Sequence, residues 1–195
     1  MFKGKHIVIT GGSSGLGLAL AKELATRGAN VTLIARNQEK LETAKSEIIT
    51  AGGKVHVFSC DVSQMESITE TFKKIAAEIG PPDILINSAG ILREGYFDEL
   101  PVDTFREIIE INYFGVLNSI KAALPFIVKQ RGRIVNIASV AGLMGVFGYT
   151  PYCSSKFALV GLTESLRYEM KPLGVKVHLV CPSEFASPMT EHLND

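Results

Sequence analysis

Short apolar runs alternate with helix-like patterns along the whole chain. Six runs of five to seven residues are dominated by Val, Ile and Leu and show little polar alternation. Such runs are typical of strands that are buried on both faces, as in a parallel sheet covered by helices. The predicted strands are residues 6–10, 31–35, 55–59, 83–87, 133–138 and 175–181.

The segments between the strands carry apolar residues at helical spacing. Leu16, Leu20 and Leu24 recur every four residues, and later segments follow the same rhythm. This repeated alternation predicts a single α/β domain over residues 1–195, with a doubly wound, Rossmann-like parallel sheet and helices on both faces. Segment 101–130 also has a helical pattern, in which Pro125 predicts a kink or a restart of the helix.

Composition and charge narrow the function classes. Of the 195 residues, 46% are apolar and 21% are charged, a balance that excludes a disordered chain. Lys and Arg together number 20, as do Asp and Glu, so the formal net charge is zero. The chain therefore lacks the basic surface of a nucleic-acid binder, and we expect no nucleic-acid partner.

Signals for export, membrane insertion and metal binding are not visible in the sequence. Apolar stretches are strand-sized and broken by Gly or a charge, which predicts no membrane span, and the first residues show no signal-peptide pattern. The three cysteines, Cys60, Cys153 and Cys181, show no CxxC spacing. We therefore expect a reduced, cytoplasmic chain with no disulfide framework and no metal site.

A glycine-rich turn, TGGSSGLG at residues 10–17, follows the first predicted strand and opens the first predicted helix. Such a turn lets the backbone approach a pyrophosphate and presents the free N–H groups of a helix N-terminus to it. It therefore predicts a dinucleotide site at Gly11, Gly15 and Gly17, to which Ser13 or Ser14 adds a hydroxyl contact. The alternative is a flexible turn without a ligand. The spacing T-G-x-x-x-G-x-G resembles the fingerprint of the short-chain dehydrogenase/reductase family.

The end of the second predicted strand indicates which dinucleotide binds. An acidic residue there accepts hydrogen bonds from a ribose 2′-hydroxyl and favours NAD, whereas an arginine pairs with a 2′-phosphate. The sequence reads LIARN at residues 33–37, with Arg36 and no acid. A guanidinium matches a phosphate in a bidentate geometry, so Arg36 predicts NADP(H). The alternative for Arg36 is a solvated surface charge.

Other positions match motifs of the family. Asp61 and Val62, after the third predicted strand, resemble its adenine contact, and NSAG at residues 87–90 resembles its N-N-A-G element. After the sixth strand the family pattern P-G-x-x-x-T is replaced by PSEFAS at residues 182–187. The resemblance implies further cofactor contacts at Asn87, Ala89, Gly90, Pro182 and Ser187.

A candidate catalytic group lies in the second half of the chain. Tyr152 and Lys156 are four residues apart, which places them on one face of a helix, about 5–6 Å apart at Cβ. A nearby ammonium favours the phenolate and lowers the phenol pKa from about 10. Ser139 follows the fifth predicted strand, where ligands bind in doubly wound sheets. These residues match the family's Ser-Tyr-Lys triad, and Asn112 matches the family asparagine whose helix backbone holds a relay water.

The resemblance implies an oxidoreductase that transfers a hydride between NADP(H) and a carbonyl or secondary alcohol. It implies that Tyr152 donates a proton, that Ser139 donates a hydrogen bond to the same oxygen, and that Lys156 lowers the Tyr152 pKa and holds the nicotinamide ribose. Residues 145–152 (GVFGYTPY) resemble the branch that reduces long-chain 3-keto sphingoid bases. Alternatives are a 3-oxoacyl thioester, a steroid or a small ketone as substrate, and a non-catalytic NADP(H)-binding regulator.

The family also carries expectations about the end of the chain and its assembly. Members normally continue into a seventh strand and a helical substrate lid, so a chain ending at Asp195 is expected to be truncated. Their long helices, here around Asn112 and Tyr152, pack as a four-helix bundle across a two-fold axis. Phe114 and Phe157 add apolar surface to these helices, and we expect a homodimer or homotetramer.

Overall fold

A six-stranded parallel sheet forms the centre of the structure, a computed structural model that describes residues 2–183. The strands are β1 (His6–Thr10), β2 (Asn30–Ala35), β3 (Lys54–Ser59), β4 (Ile84–Asn87), β5 (Arg133–Ile137) and β6 (Lys176–Val180). Their order in the sheet is β3-β2-β1-β4-β5-β6, and every neighbouring pair is parallel. This is the doubly wound order of a Rossmann-like fold, which confirms the predicted fold class.

Helices connect the strands and cover both faces of the sheet. They are α1 (Gly15–Thr26), α2 (Gln38–Thr50), α3 (Met65–Glu78), α4 (Val102–Ile109), α5 (Gly115–Lys129) and α6 (Thr150–Met170), with 3₁₀ turns at Val140–Gly142 and Lys171–Leu173. Because successive side chains of a strand point to opposite faces, Ile7 and Ile9 lie in one apolar core and Val8 in the other. The first core is closed by α1 and α2, and the second by α3, α5 and α6.

The helical run between β4 and β5 differs from its prediction. The expected restart at Pro125 is wrong, because α5 continues through this residue, whereas the kink stays a prediction. Pro125 and Lys121 are both exposed, so water can reach the Lys121 carbonyl that proline cannot pair. The helix changes instead at Glu110–Phe114, which forms a π-helical turn between α4 and α5. This turn contains Asn112.

The same run is long and apolar enough to cross a membrane by length and composition. Val102–Lys129 spans 28 residues with a mean hydropathy of 1.3 in its most apolar part, half of which is buried inside the fold. One such helix carries little weight, because a core helix of a water-soluble protein meets the same criterion. Its inner side packs against α3 and the sheet. The sequence pattern did not predict it, because Gly and charged residues interrupt the apolar run.

Candidate active site

A cavity of about 530 Å³ lies at the carboxyl ends of the strands, where the sheet order reverses between β1 and β4. Ligands bind at this position in doubly wound sheets, and the volume is that of a small-molecule site. The predicted site residues that line it are Gly11, Ser13, Ser14, Gly15, Gly17, Arg36, Asp61, Val62, Ala89, Gly90, Ser139, Tyr152, Lys156 and Pro182. Residues from across the sequence therefore converge on one cavity.

The glycine-rich turn brings the end of β1 against two neighbouring backbone segments. A Cβ atom on Gly17 would lie 2.3 Å from the carbonyl oxygen of Gly11, and one on Gly11 would lie 2.7 Å from the Cα of Ala89. Gly15 has a φ of 51°, in the left-handed region. Only glycine allows this path of the chain without a shift of the surrounding backbone.

The N-terminus of α1 faces the same cavity and has the properties of an anion site. Its N-cap residue, Ser14, makes no side-chain capping hydrogen bond, and the first turn contains no acidic residue. The backbone N–H groups of this turn therefore have no side-chain partner of their own helix, and the helix dipole favours a negative charge there. The turn fits the pyrophosphate of a dinucleotide.

Two cationic side chains line the cavity where β2 ends and α2 begins. Arg36 and Lys40 are exposed, line the cavity and form no ion pair with any other residue between positions 2 and 183. Lys40 was missed by the sequence reasoning, although its position four residues after Arg36 was a usable signal. Asn37 fixes the start of α2 between them, because its side chain accepts a hydrogen bond from the Lys40 N–H at 2.9 Å.

Asp61 also lines the cavity, after β3, and its carboxylate is held in place. Its Oδ1 atom accepts hydrogen bonds from the Ser63 backbone N–H at 3.0 Å and from the Ser63 hydroxyl at 2.8 Å. These hydrogen bonds restrict the rotation of the Asp61 carboxylate. Asp61 thus presents a fixed side chain to the part of the cavity where the family resemblance implies an adenine contact.

Ser139, Tyr152 and Lys156 meet at the opposite end of the cavity. Ser139 caps the 3₁₀ turn after β5, with its Oγ accepting the Ala141 N–H at 3.1 Å. Tyr152 and Lys156 lie on successive turns of α6, and the Lys156 Nζ is 5.5 Å from the centre of the Tyr152 ring. The Nζ donates to the Ile137 carbonyl at 3.1 Å. The predicted shared face of Tyr152 and Lys156 is therefore confirmed.

The electrostatics of this group differ from the expectation. Burial raises the pKa of Tyr152 above 10, and a hydrogen bond from Ser139 opposes this shift only in part. Burial also lowers the pKa of Lys156 to about 8. In the chain by itself the Tyr152 pKa is therefore shifted opposite to the expected direction, because desolvation of the phenolate is the largest effect; the lowering expected from Lys156 and a bound nicotinamide ring together stays a prediction.

Asn112 does not line the cavity but supports it from behind. Its Oδ1 accepts the Ile91 N–H at 2.8 Å, and its Nδ2 donates to the Ile91 carbonyl at 2.9 Å and to the Ser155 Oγ at 3.0 Å. The Ser155 hydroxyl donates to the Tyr152 carbonyl at 2.7 Å. Ser155 was missed by the sequence reasoning; a small hydroxyl three residues after Tyr152 was its only signal. These hydrogen bonds connect the π-helical turn to α6, the helix that carries Tyr152 and Lys156.

Asn87, a predicted cofactor contact, lies beneath the cavity and does not line its wall. Its side chain is fully buried, and its Nδ2 donates to the Oδ1 of Asn136 at 2.8 Å. Asn136 in turn donates to the Thr163 Oγ1 at 2.9 Å, which connects β4 and β5 to α6. The Nδ2 atom is therefore paired inside the fold, while the buried Oδ1 atom has no hydrogen-bond partner among the described residues. The other predicted contact, Ser187, lies outside the described residues.

Comparison with known proteins gives the site its context. The chain is 44% identical over 191 residues to 3-ketodihydrosphingosine reductase of Bos taurus. This alignment covers 95% of this chain and 58% of that protein. The chain thus spans less than two thirds of this relative. A variant of actinorhodin polyketide ketoreductase with NADPH has a TM-score of 0.94 and 34% identity, over 98% of this chain and 76% of its own. NAD⁺-bound xylitol dehydrogenase has a TM-score of 0.90 and 32% identity, over 93% of this chain and 71% of its own.

A family model agrees with these likenesses over almost the whole sequence. Residues 5–195 match the model described as short chain dehydrogenase. The match includes the glycine-rich turn and all the residues of the catalytic group. The chain therefore belongs to the short-chain dehydrogenase/reductase family.

Proposed function

We propose that this chain is an NADP(H)-dependent reductase of long-chain ketones, with a 3-keto sphingoid base such as 3-ketodihydrosphingosine as the substrate class. The observation that carries the proposal is the cavity itself. It is lined both by Ser139, Tyr152 and Lys156 and by Arg36 and Lys40, two cations without an ion-pair partner among residues 2–183. The 44% identity to a 3-ketodihydrosphingosine reductase supports the choice of substrate.

The preference for NADP(H) follows from the charges at the end of β2. Arg36 and Lys40 offer two positive side chains where a ribose 2′-phosphate would lie, and no acidic residue competes within residues 33–37. The family contains proteins of both kinds, as the NADPH-bound and NAD⁺-bound neighbours illustrate. The local charges therefore carry this part of the proposal.

Binding of the two cofactors tests this preference directly. We expect NADPH to bind at least about tenfold more tightly than NADH, a difference of about 1.4 kcal/mol. Arg36→Asp is expected to abolish or reverse the preference, because it removes a phosphate partner and adds repulsion. The control is Lys129→Asp, an exposed position at the end of α5, which precedes the amino end of β5 and does not line the cavity. Equal affinities of the parent protein for both cofactors would contradict the assignment.

The residues of the catalytic group have separate tasks in the reduction. When bound, the reduced nicotinamide supplies a hydride to the substrate carbonyl carbon. The Tyr152 hydroxyl donates its proton to the carbonyl oxygen as the general acid. The Ser139 hydroxyl donates a hydrogen bond to the same oxygen, where negative charge develops. Lys156, oriented by the Ile137 carbonyl, would hold the ribose hydroxyls.

Three variants separate these tasks. Tyr152→Phe is expected to lower turnover by about 10²–10⁴-fold with NADPH affinity nearly unchanged, because general acid catalysis contributes a factor of that size. Ser139→Ala is expected to lower turnover with little effect on affinity, whereas Lys156→Ala is expected to impair both. Tyr168→Phe, an exposed tyrosine on the same helix, is the matched control.

The substrate panel for these assays contains 3-ketodihydrosphingosine, an acetoacetyl thioester, a steroid ketone and a small diketone. NADPH oxidation with the sphingoid base as the best substrate is the expected result. A better rate with the thioester or the steroid would assign the chain to another substrate class of the same family. Full turnover by Tyr152→Phe would show that another group donates the proton.

A further inference from the structure

We propose that an apolar surface outside the cavity binds the alkyl chain of a long-chain ketone that is neutral or cationic. This surface, the apolar ledge, consists of five exposed large side chains: Tyr96, Leu143, Met144, Val146 and Phe147. Exposed apolar side chains that cluster in this way mark binding sites more often than those scattered singly. The inference rests on the proposed function, because it assigns the chain of the substrate whose carbonyl group is reduced at Tyr152.

Two loops build the ledge as one surface. Tyr96 belongs to the loop after β4, and the other four residues belong to the loop after β5. The loops are joined by a hydrogen bond from the Gly95 N–H to the Gly148 carbonyl at 3.0 Å. The rings of Tyr96 and Phe147 pack edge to face with their centres 5.6 Å apart. Phe147 nevertheless remains 86% exposed, so it contributes little to the packing of the fold.

The ledge is continuous with the reactive end of the cavity. Val146 belongs to both the cavity wall and the ledge. The Tyr149 N–H donates to the Val146 carbonyl at 3.2 Å, and the Tyr149 ring is 6.3 Å from the Tyr152 ring. An apolar path therefore leads from Tyr152 past Tyr149 and Val146 to Phe147. A ketone whose oxygen faces Tyr152 can place its alkyl chain along this path.

Charged side chains in the Tyr96 loop determine which substrate alkyl chains the ledge favours. Tyr96 is flanked in its loop by the exposed acids Glu94, Asp98 and Glu99. The only base of this loop, Arg93, lies 3.7 Å from Glu107 on α4. The net negative charge disfavours fatty carboxylates and anionic thioester carriers and suits an uncharged chain or one with an amino group.

A series of linear ketones of increasing length tests the ledge. With the parent protein and NADPH, we expect kcat/KM to rise about twofold per methylene, since an open surface covers about half of each group. Phe147→Ser is expected to remove most of this dependence and to leave the shortest ketone unaffected. The control is Tyr168→Ser, a 75% exposed aromatic on α6 that lies sixteen residues, or about 24 Å, beyond Tyr152.

A binding assay without cofactor makes the outcome independent of turnover. Laurdan, a neutral fluorescent probe with a lauroyl chain, is expected to shift its emission to the blue on binding the parent, and Phe147→Ser is expected to weaken binding at least about fivefold. Binding through Phe147 without reduction of any ketone would support the ledge and refute the reductase proposal. Reduction of all chain lengths at one rate, or unchanged laurdan binding by Phe147→Ser, would overturn the ledge.

Two other occupants of this surface have distinct signatures. If Phe147→Ser lowers the oligomer mass in light scattering and leaves the length dependence unchanged, the surface contacts a second copy of the chain. If it abolishes co-sedimentation with phosphatidylcholine vesicles and leaves the length dependence unchanged, the surface binds a bilayer. Either result would overturn the proposal.

Discussion

Gly11→Ala tests whether the end of β1 requires a glycine for its close approach to the loop after β4. Gly11 has a φ of +69°, and a new Cβ would lie 2.7 Å from the backbone N and Cα of Ala89. An L-residue in the left-handed region costs about 1–2 kcal/mol. Overpacking against a neighbour costs about 1–3 kcal/mol more, because backbone atoms have to move. We therefore expect the free energy of unfolding to fall by about 2–5 kcal/mol.

Gly52→Ala is the matched control, since Gly52 has a φ of +79° and no atom within 4 Å of the new Cβ. Only the left-handed conformation is penalised there, so we expect a loss of about 1–2 kcal/mol. Urea unfolding of the parent and both variants at neutral pH gives the comparison. NADPH binding is expected to weaken in Gly11→Ala alone, because Ala89 and Gly90 line the cavity. Equal destabilisation by the two substitutions would refute the reasoning.

The remaining predictions concern buried titratable groups and assembly. Burial lowers the pKa of Lys156 to about 8, so the parent is expected to gain stability relative to Lys156→Met as the pH rises from 8 to 10.5, and a constant difference in urea unfolding would contradict this. Burial also lowers the pKa of His6 below 6.5, so the parent is expected to lose stability relative to His6→Gln as the pH falls below 6.5. Light scattering is expected to show a homodimer or homotetramer, in which the exposed Phe114 and Phe157 become covered; a monomer at micromolar concentration would contradict this.

The pattern of apolar and polar positions was sufficient to predict much of the fold. The six strands lie within one residue of their predicted bounds. The central strands β1 and β4 are buried along their whole length, as a continuous apolar run predicts, whereas the edge strands β3 and β6 are partly exposed. The glycine-rich turn and the Tyr152–Lys156 pair were also predicted correctly. Both depend on backbone conformation or helical spacing over a few residues, which the local sequence specifies. The structural interpretation of His6 is consistent with its hydrogen-bond distances to Gly80 and Thr32, each 2.9 Å.

Long-range contacts decided what the sequence pattern left open. The π-helical turn around Asn112 is connected to Ile91, 21 residues away, and the Asn87 Nδ2 donates a hydrogen bond to Asn136, 49 residues away. Helix α5 continues through Pro125 because this residue and Lys121 lie on the side of α5 that is exposed to water. The raised pKa of Tyr152 results chiefly from burial, which outweighs the hydrogen bond from Ser139. These features depend on partners and solvent exposure that exist only after the chain has folded, so spacing along the sequence by itself does not determine them.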